Sequence, residues 1–447
     1  MMKLKLIFPR FHYPSGDPPL GIAYIAAFLR KKGYDVDIVD TTFERKKNLI
    51  KRLRGADGYG IYCSIGMVKE ALEIGRICKL VSGAPVVYGG PLPSVEPLFF
   101  LRKSFVDAVV IGEGEKTMEE IVERNFEFGG VKGVWYKEKG KIVKQRGRKP
   151  ICDLDSLPFP ARDLLPMETY IKNWYHMDIV LPKPRGTNII ASRGCPFNCS
   201  YCQPTLRKIF GRGVRSRSPQ NVVEELKEIK EEYSLNSFFF QDDTLCVDLA
   251  WTKNLCEEMM REKVNMFWGC NIRVDLVNKE ILKLMVKAGL RKICIGIECY
   301  SDRIREKVYN KSFKRREIEK AVKIAKRLGI KIQAYFMLGA PGETVKEMKK
   351  TLEFANKLDV DEATFSITTP LPGTHLYQKF HSMLKNMEEM DYYKKYPFED
   401  ERESTVKSLR KVAYFSFYLD RKRVWKSLKI LLNPFLLQRN LNKLRRL

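Results

Sequence analysis

The sequence predicts an α/β protein: an N-terminal doubly wound, Rossmann-like domain followed by a partial (βα)6 barrel, with a basic α-helical region at the C-terminus. Three observations carry this. Short runs of β-branched and aromatic residues alternate with amphipathic stretches from residue 4 to about 128. A second series of six strand–helix alternations starts at Thr187, after a proline-broken stretch. Beyond about His381 the strand pattern stops, and basic residues interleave with apolar ones.

In the first domain, residues 1–146, strands are expected at Leu4–Pro9, Asp35–Asp40, Gly58–Cys63, Pro85–Tyr88 and Asp107–Ile111. The stretch Leu20–Lys32 puts Ile22, Ile25, Ala26 and Leu29 on one helical face. Gly133–Val143 reads as a closing hairpin turning at Lys139-Gly140. Residues 147–186, which include Leu157-Pro-Phe-Pro-Ala-Arg-Asp163, read as an ordered linker that continues neither helices nor central strands, because proline lacks a donor and restricts its predecessor. In the second domain, residues 187–385, strands are expected at Thr187–Ala191, Ser237–Gln241, Met266–Asn271, Lys292–Ile297, Lys331–Leu338 and Glu362–Ile367. Residues 386–447 form the helical end, and from Arg402 to Leu447 thirteen Lys/Arg stand against two acids. Such a segment either caps the barrel or lies on an anionic membrane surface.

The bulk composition narrows the classes. A chain of 447 residues exceeds one ordinary core. With 81 Lys and Arg against 54 Asp and Glu it carries +27, which draws anionic partners. The opening MMKLKLIFPRF is too short in its apolar part for a signal peptide, and no run of apolar residues is long enough for a transmembrane helix. Eleven cysteines in such a chain point to reduced thiols and metal ligands, not to disulfides. The expectation is a cytoplasmic protein, peripheral at a membrane if the C-terminus docks there.

The chemistry concentrates in Ser192-Arg-Gly-Cys195-Pro-Phe-Asn-Cys199-Ser-Tyr-Cys202, directly after the first strand of the second domain, at the end where barrel sites are built. Closely spaced thiolates suit an iron–sulfur cluster, and three of them leave one iron of a cubane open. A zinc site would want a fourth ligand, whereas His176 and His375 are remote in sequence; three unrelated buried thiols are the other alternative. Polar or glycine-rich groups recur at later strand ends: Gln241-Asp242-Asp243, Asn271 with Arg273, Glu298, Gly339–Glu343 and Thr368–Gly373. Without a ligand these carboxylates would be helix caps and surface charge, and Gly342-Glu343-Thr344 a helix start.

Over residues 187–380 the Cys-x-x-x-Cys-x-x-Cys loop, with Tyr201 before its last cysteine, resembles the signature of the radical S-adenosylmethionine superfamily. The resemblance implies a [4Fe-4S] cluster on Cys195, Cys199 and Cys202 that chelates S-adenosylmethionine (SAM) and cleaves it to a deoxyadenosyl radical. It also implies SAM contacts from Tyr201, from Asp242 and Asp243 at the amino group, from Arg273 near the carboxylate, from Glu298 near the ribose and from Gly339 beside the adenine. In the first domain, Pro18-Pro19-Leu20-Gly21, Val39-Asp40, Tyr88-Gly89-Gly90-Pro91 and Ile111-Gly112-Glu113-Gly114-Glu115 resemble the cobalamin-binding domain that precedes many such barrels. Cobalamin contacts are thereby implied for Pro19, Leu20, Gly21, Gly89, Gly90, Gly112, Glu113 and Gly114, beyond the strands' carboxyl ends. The Asp-x-His-x-x-Gly motif is absent and Leu92 follows Gly-Gly-Pro, which implies cobalt without a lower histidine. A cobalamin-free scaffold is the alternative, and His12, the one histidine of this domain, reads as a core or surface residue.

The function expected from the resemblance is that of a radical SAM enzyme, a cobalamin-dependent C-methyltransferase acting on an unactivated carbon of a small hydrophobic or lipid-like substrate. A cyclisation or rearrangement would use the same parts, and a ferredoxin or flavodoxin would supply the electron. Two alternatives belong to other classes. A radical methylthiotransferase acting on tRNA would carry a second cluster on three N-terminal cysteines and a terminal β domain; neither is visible, and nucleic acid is not the expected partner. An iron–sulfur and cobalamin sensor would leave SAM uncleaved. Cys63, Cys78 and Cys152 read as small buried residues, and Cys246, Cys256, Cys270, Cys294 and Cys299 as pocket-lining candidates.

Overall fold

A computed structural model describes residues 2–11, 15–43, 48–202, 205–384 and 395–421, and beyond these 423–425, 428, 432–436 and 439. The first sheet has seven strands, β1 (Lys3–Phe8), β2 (Asp35–Asp40), β3 (Gly58–Tyr62), β4 (Val86–Gly89), β5 (Ala108–Val110), β6 (Val134–Glu138) and β7 (Lys141–Lys144). Their order is β2-β1-β3-β4-β5-β6-β7. The first five pair in parallel because helices such as Leu20–Lys31 and Val68–Ser82 return the chain across the sheet faces. The expected hairpin forms β6 and β7 and continues this sheet antiparallel instead of standing apart. Leu4, Leu6 and Ile7 of β1 are buried among both helical layers, as a central parallel strand requires.

The second sheet is wholly parallel: β8 (Gly186–Ile189), β11 (Ser237–Phe240), β12 (Phe267–Ile272), β13 (Leu290–Glu298), β14 (Lys331–Leu338) and β15 (Glu362–Ile367). Its order is β15-β14-β13-β12-β11-β8, so β8 and β15 are unjoined edges and the barrel is open. A two-residue ladder, β9 (Ser192–Arg193) with β10 (Arg215–Ser216), frames the cysteine loop.

The expected linker corrects in one respect: it contains the helix Met167–Asn173, which begins after Pro166, where proline's missing donor costs nothing. This helix delivers Trp174, fully buried against Met177, Phe239 and Cys294, with its Nε1 donating to Asn188 Oδ1 at 2.8 Å. The fit is tight, since a Cβ on Gly16 would lie 2.2 Å from the Trp174 backbone nitrogen. Tyr170 reaches the other way and donates to Asp40 at the end of β2 at 2.5 Å.

The C-terminal helix Glu403–Tyr418 buries Val406, Ala413 and Phe417 and covers the free edge of β15. Tyr414 OH accepts from Phe365 N (3.1 Å), Arg410 donates to Phe365 O (3.0 Å), and Tyr418 donates to Ala363 O (2.9 Å). Alternate residues of an edge strand present their unpaired backbone groups, and these three side chains satisfy them. Of the basic region expected at 386–447, residues 386–394 and most of the last stretch lie outside the described residues.

The domains are bolted together at Glu225, which is fully buried. Its carboxylate takes Arg162 of the linker at 2.6 Å and also Arg217, whose guanidinium meets Tyr24 of the first domain at 3.3 Å. Replacing one member of a buried ionic group strands its partners in low dielectric. Glu225→Ala is therefore expected to lower the unfolding free energy by about 3–5 kcal/mol. Urea unfolding of variant and wild type measures it, and a loss under about 1 kcal/mol would contradict this account.

Candidate active site

The cysteine loop leaves the carboxyl end of β8 through Gly194, whose φ of +96° and 2.3 Å approach of a Cβ to Gly213 O exclude any other residue. The loop is held from several sides. Ser200 N donates to Tyr309 O at 3.0 Å, Leu376 N to Ser200 O at 3.0 Å and Asn310 Nδ2 to Asn198 O at 2.7 Å. Arg273 stacks on Phe197, 3.6 Å from the ring centroid, and directs one nitrogen to Cys199 Sγ at 3.3 Å. Cys195 is buried, and Cys199 and Cys202 are half-buried. Burial, then the Cys199 charge, pushes the Cys202 thiol up to about 12. Among the described residues no group of three His, Cys, Asp or Glu side chains closes round a single ion. Three soft donors in one loop, with an arginine beside them, suit a larger iron–sulfur group with three protein ligands.

The two aspartates after β11 part company. Asp242 is buried and spent on the loop, accepting from Ala191 N at 3.1 Å and Ser192 Oγ at 2.5 Å. Its carboxyl rises to about 6, because burial outweighs those bonds. Asp243 opens on the cavity yet is walled by protein; burial first, then Asp242, raises it to about 7.

Glu298 ends β13 in the left-handed region, φ +69°, where the strand register shifts. A non-glycine residue held there is strained and must be over-determined by its neighbours. Lys311 Nζ at 2.5 Å and Tyr201 OH at 2.7 Å supply that restraint. Gly339 has φ +81°, but a Cβ there would meet Val406 at 3.0 Å and Tyr396 at 3.2 Å. The C-terminal segment thus packs against one side of this glycine and would exclude a side chain there. Next to it, Glu343 accepts from Gly339 N (2.8 Å) and Ala340 N (3.0 Å), while its Oε1 is buried without a hydrogen-bond partner. Burial raises its carboxyl to about 7. Thr344 caps the following helix, as Gly342-Glu343-Thr344 suggested.

Between the domains lies a cavity of about 340 Å³. From the first domain Gly21, Gly89, Gly90, Gly112, Glu113 and Gly114 line it; Pro19 and Leu20 do not, being buried at the start of the helix behind. From the barrel come Ser192, Arg193, Gln241, Asp242 and Asp243, and the helix Thr205–Phe210 adds Leu206, Ile209 and Phe210. Glu113, expected to face cobalamin, already carries Arg193 (2.8 Å), Arg215 (3.1 Å) and Ile151 N (2.6 Å). Arg193 also pairs with Glu115 at 2.6 Å. The glycine-rich rim suits a bulky flat ligand, since strand-end glycines clear space for it. No histidine lines the cavity among the described residues, and His12 lies outside them.

Sequence reasoning passed over Arg193 and Lys311, and gave Glu343 no role beyond a strand end or helix start. Arg193 stands two residues before Cys195 and could have been noticed, but its partners are eighty residues away. His176, expected to be remote from the cysteine loop in sequence, pairs with Asp17 at 2.7 Å within the interior. Cys294 lines the barrel interior beside Trp174, whereas Cys246, Cys256 and Cys270 belong to the main apolar core.

Comparison with known proteins fits this geometry. Residues 189–355 match the model of the radical SAM superfamily, and residues 14–122 that of the B12 binding domain. An uncharacterised methyltransferase of Pyrococcus horikoshii is 34% identical, covering 91% of this chain and 88% of that one. The anaerobic magnesium-protoporphyrin IX monomethyl ester cyclase of Cereibacter sphaeroides is 28% identical over 89% of this chain and 66% of its own. Among solved structures, a radical S-adenosylmethionine methyltransferase from Kitasatospora setae, with cobalamin and a [4Fe-4S] cluster bound, superposes with a TM-score of 0.71 at 19% identity, covering 86% and 75% of the two chains.

The Glu343 carboxyl gives a pH signature. Its value rises from 4.5 to about 7 on folding, so its contribution to stability is complete below 4.5 and is lost as pH rises through about 7. Between about pH 5 and 8 the wild type is expected to lose unfolding free energy relative to Glu343→Gln. Parallel pH profiles for the two proteins would refute this.

Proposed function

The chain belongs to the radical SAM superfamily, in the group whose barrel follows a B12-binding domain, and from that premise we propose that it is a cobalamin-dependent methyltransferase acting on an unactivated carbon of a hydrophobic small molecule. The cofactors of these domains are a [4Fe-4S] cluster, SAM and cobalamin. When bound, they supply one-electron cleavage of SAM to a hydrogen-abstracting radical and a transferable methyl group. The observation that carries the reading is the shared cavity. Glycine-rich strand ends form one wall, and Ser192 and Arg193 just ahead of the cysteine loop form the other with Asp243, which supports two cofactors held side by side.

Each residue has a task within it. Cys195, Cys199 and Cys202 hold the cluster, and Arg273 sets positive charge against Cys199. Asp243 meets the amino group of SAM; Asp242, spent on Ala191 and Ser192, fixes the loop that carries the thiols. Glu298, braced by Lys311 and Tyr201, offers a carboxylate for the ribose hydroxyls. Leu206, Ile209 and Phe210 add an apolar patch beside the polar barrel residues, which helps exclude water from a radical and supports a hydrophobic substrate. The +27 charge favours an acidic electron carrier such as a ferredoxin or flavodoxin. Cys63 and Cys78, the thiols of the first domain, are fully buried in its core, which speaks against the second cluster of a methylthiotransferase.

The test is anaerobic reconstitution followed by incubation with reductant, methyl-labelled SAM and a cellular lipid extract. Iron near four atoms per chain, deoxyadenosine, and label in an extracted lipid are expected. The Cys195→Ala, Cys199→Ala, Cys202→Ala triple variant should keep neither iron nor deoxyadenosine formation. Reduced, iron-loaded wild type that never yields deoxyadenosine would leave the sensor reading in its place.

A further inference from the structure

In the strap that follows the helix Glu403–Tyr418, described residues meet the amino-terminal end of the barrel at both free edge strands. Just ahead of β15, Arg423 donates to Leu358 O at 2.7 Å, Asn356 O at 3.2 Å and Val360 O at 3.3 Å. Just ahead of β8, Arg439 donates to Lys172 O at 2.7 Å, Ile171 O at 2.9 Å and Pro184 O at 3.1 Å, and pairs with Asp178 at 2.9 Å. Arg402 and Arg410 likewise turn inward, onto Ala340 O and Phe365 O. Four of the thirteen basic residues are thus latches. The other nine stand against two acids, Glu403 and Asp420, which pair with Lys407 and Arg423.

The exposed side chains described there are largely apolar. Val412, Phe415 and Leu419 recur at helical spacing on the side of the helix turned from the barrel, and Trp425, Leu432 and Phe435 continue along the strap. Phe415 and Leu419 are each 66% exposed, Trp425 69% and Leu432 78%, unusual for residues that dominate cores elsewhere in the molecule. Among the described residues no helix is long and apolar enough to cross a membrane.

We propose that this strap docks on an anionic phospholipid surface, with its aromatic and leucine side chains among the acyl chains and its lysines and arginines at the headgroups. Excess positive charge argues against a second copy of the chain, since a two-fold contact would bring the same uncompensated charges together. Nucleic acid would take the charge but leave the apolar side chains in water. The docking face lies at the end of the barrel opposite the cysteine loop. It therefore leaves the cavity open and stands independently of the methyl-transfer reading.

Flotation of the full-length, reconstituted protein tests this with vesicles of phosphatidylcholine alone and of phosphatidylcholine with an equal part of phosphatidylglycerol. Binding is expected on the anionic vesicles only, weakened at least about tenfold as salt rises from about 0.1 to 1 M and the screening length falls from about 10 to 3 Å. The Phe415→Ser, Leu419→Ser, Leu432→Ser variant, changed only at exposed positions, should lose about a thousandfold in partitioning, because each of the three apolar side chains contributes about a factor of ten when buried. Deoxyadenosine formation by that variant should match the wild type, which separates loss of docking from loss of fold. Equal binding to both vesicles, no binding, undiminished binding by the variant, or a wild-type dimer that the variant converts to monomer would each overturn the proposal.

Discussion

The arrangement depends on one ionic contact between the domains. Glu113 and Glu115, at the end of β5, grip Arg193 at 2.8 and 2.6 Å, and Arg215 joins on Glu113. Arg193 stands two residues ahead of Cys195, so the first domain sets where the thiol loop begins. Side chains this buried pay heavily for desolvation unless every partner is present. The contact is therefore favourable only when the sheet end and the loop base meet in one register. Two binding surfaces that could drift become the walls of a single cavity.

Much of the fold was legible because its periodicities are local. The strands of both domains were expected within a residue or two of where they lie, since buried parallel strands read as short β-branched runs between glycine and proline. The cysteine loop was legible for the same reason: its spacing is a property of eight consecutive residues. What sequence could not show was pairing across distance. Glu113 read as a cofactor contact from its glycine neighbours, and it does line the cavity, but its pairing with Arg193 and Arg215 lies some eighty and a hundred residues on. Gly339 read as room for a ligand, and the packing of Val406 and Tyr396 against its Cβ side lies about sixty residues on, out of reach of local pattern. Proline density hid the helix Met167–Asn173, since the prolines flank it and do not interrupt it.

The basic C-terminus was legible in composition but not in use. Charge counting treats all thirteen Lys/Arg alike, yet Arg402, Arg423 and Arg439 each donate to two or more backbone carbonyls and Arg410 to one, a role for which the planar guanidinium is suited and lysine is not. Arg410, Tyr414 and Tyr418 finish the free edge of β15 where another strand would otherwise pair. An open barrel with no such cover would invite edge-to-edge association, so this helix is as much part of the barrel's closure as any strand.

The course of Trp174 has a consequence for how such proteins can be recombined. The segment from Arg162 to Asp178 touches Glu225, Asp40, Asn188 and Arg439, so it is keyed at once to both halves and to the tail. It is not a tether that evolution or an engineer could shorten or exchange freely. A chimera that grafts this barrel behind a foreign N-terminal module would have to carry the whole stretch along. Even then it would lose the acceptor that Asp40 offers to Tyr170, so the natural unit of inheritance is the full two-domain body.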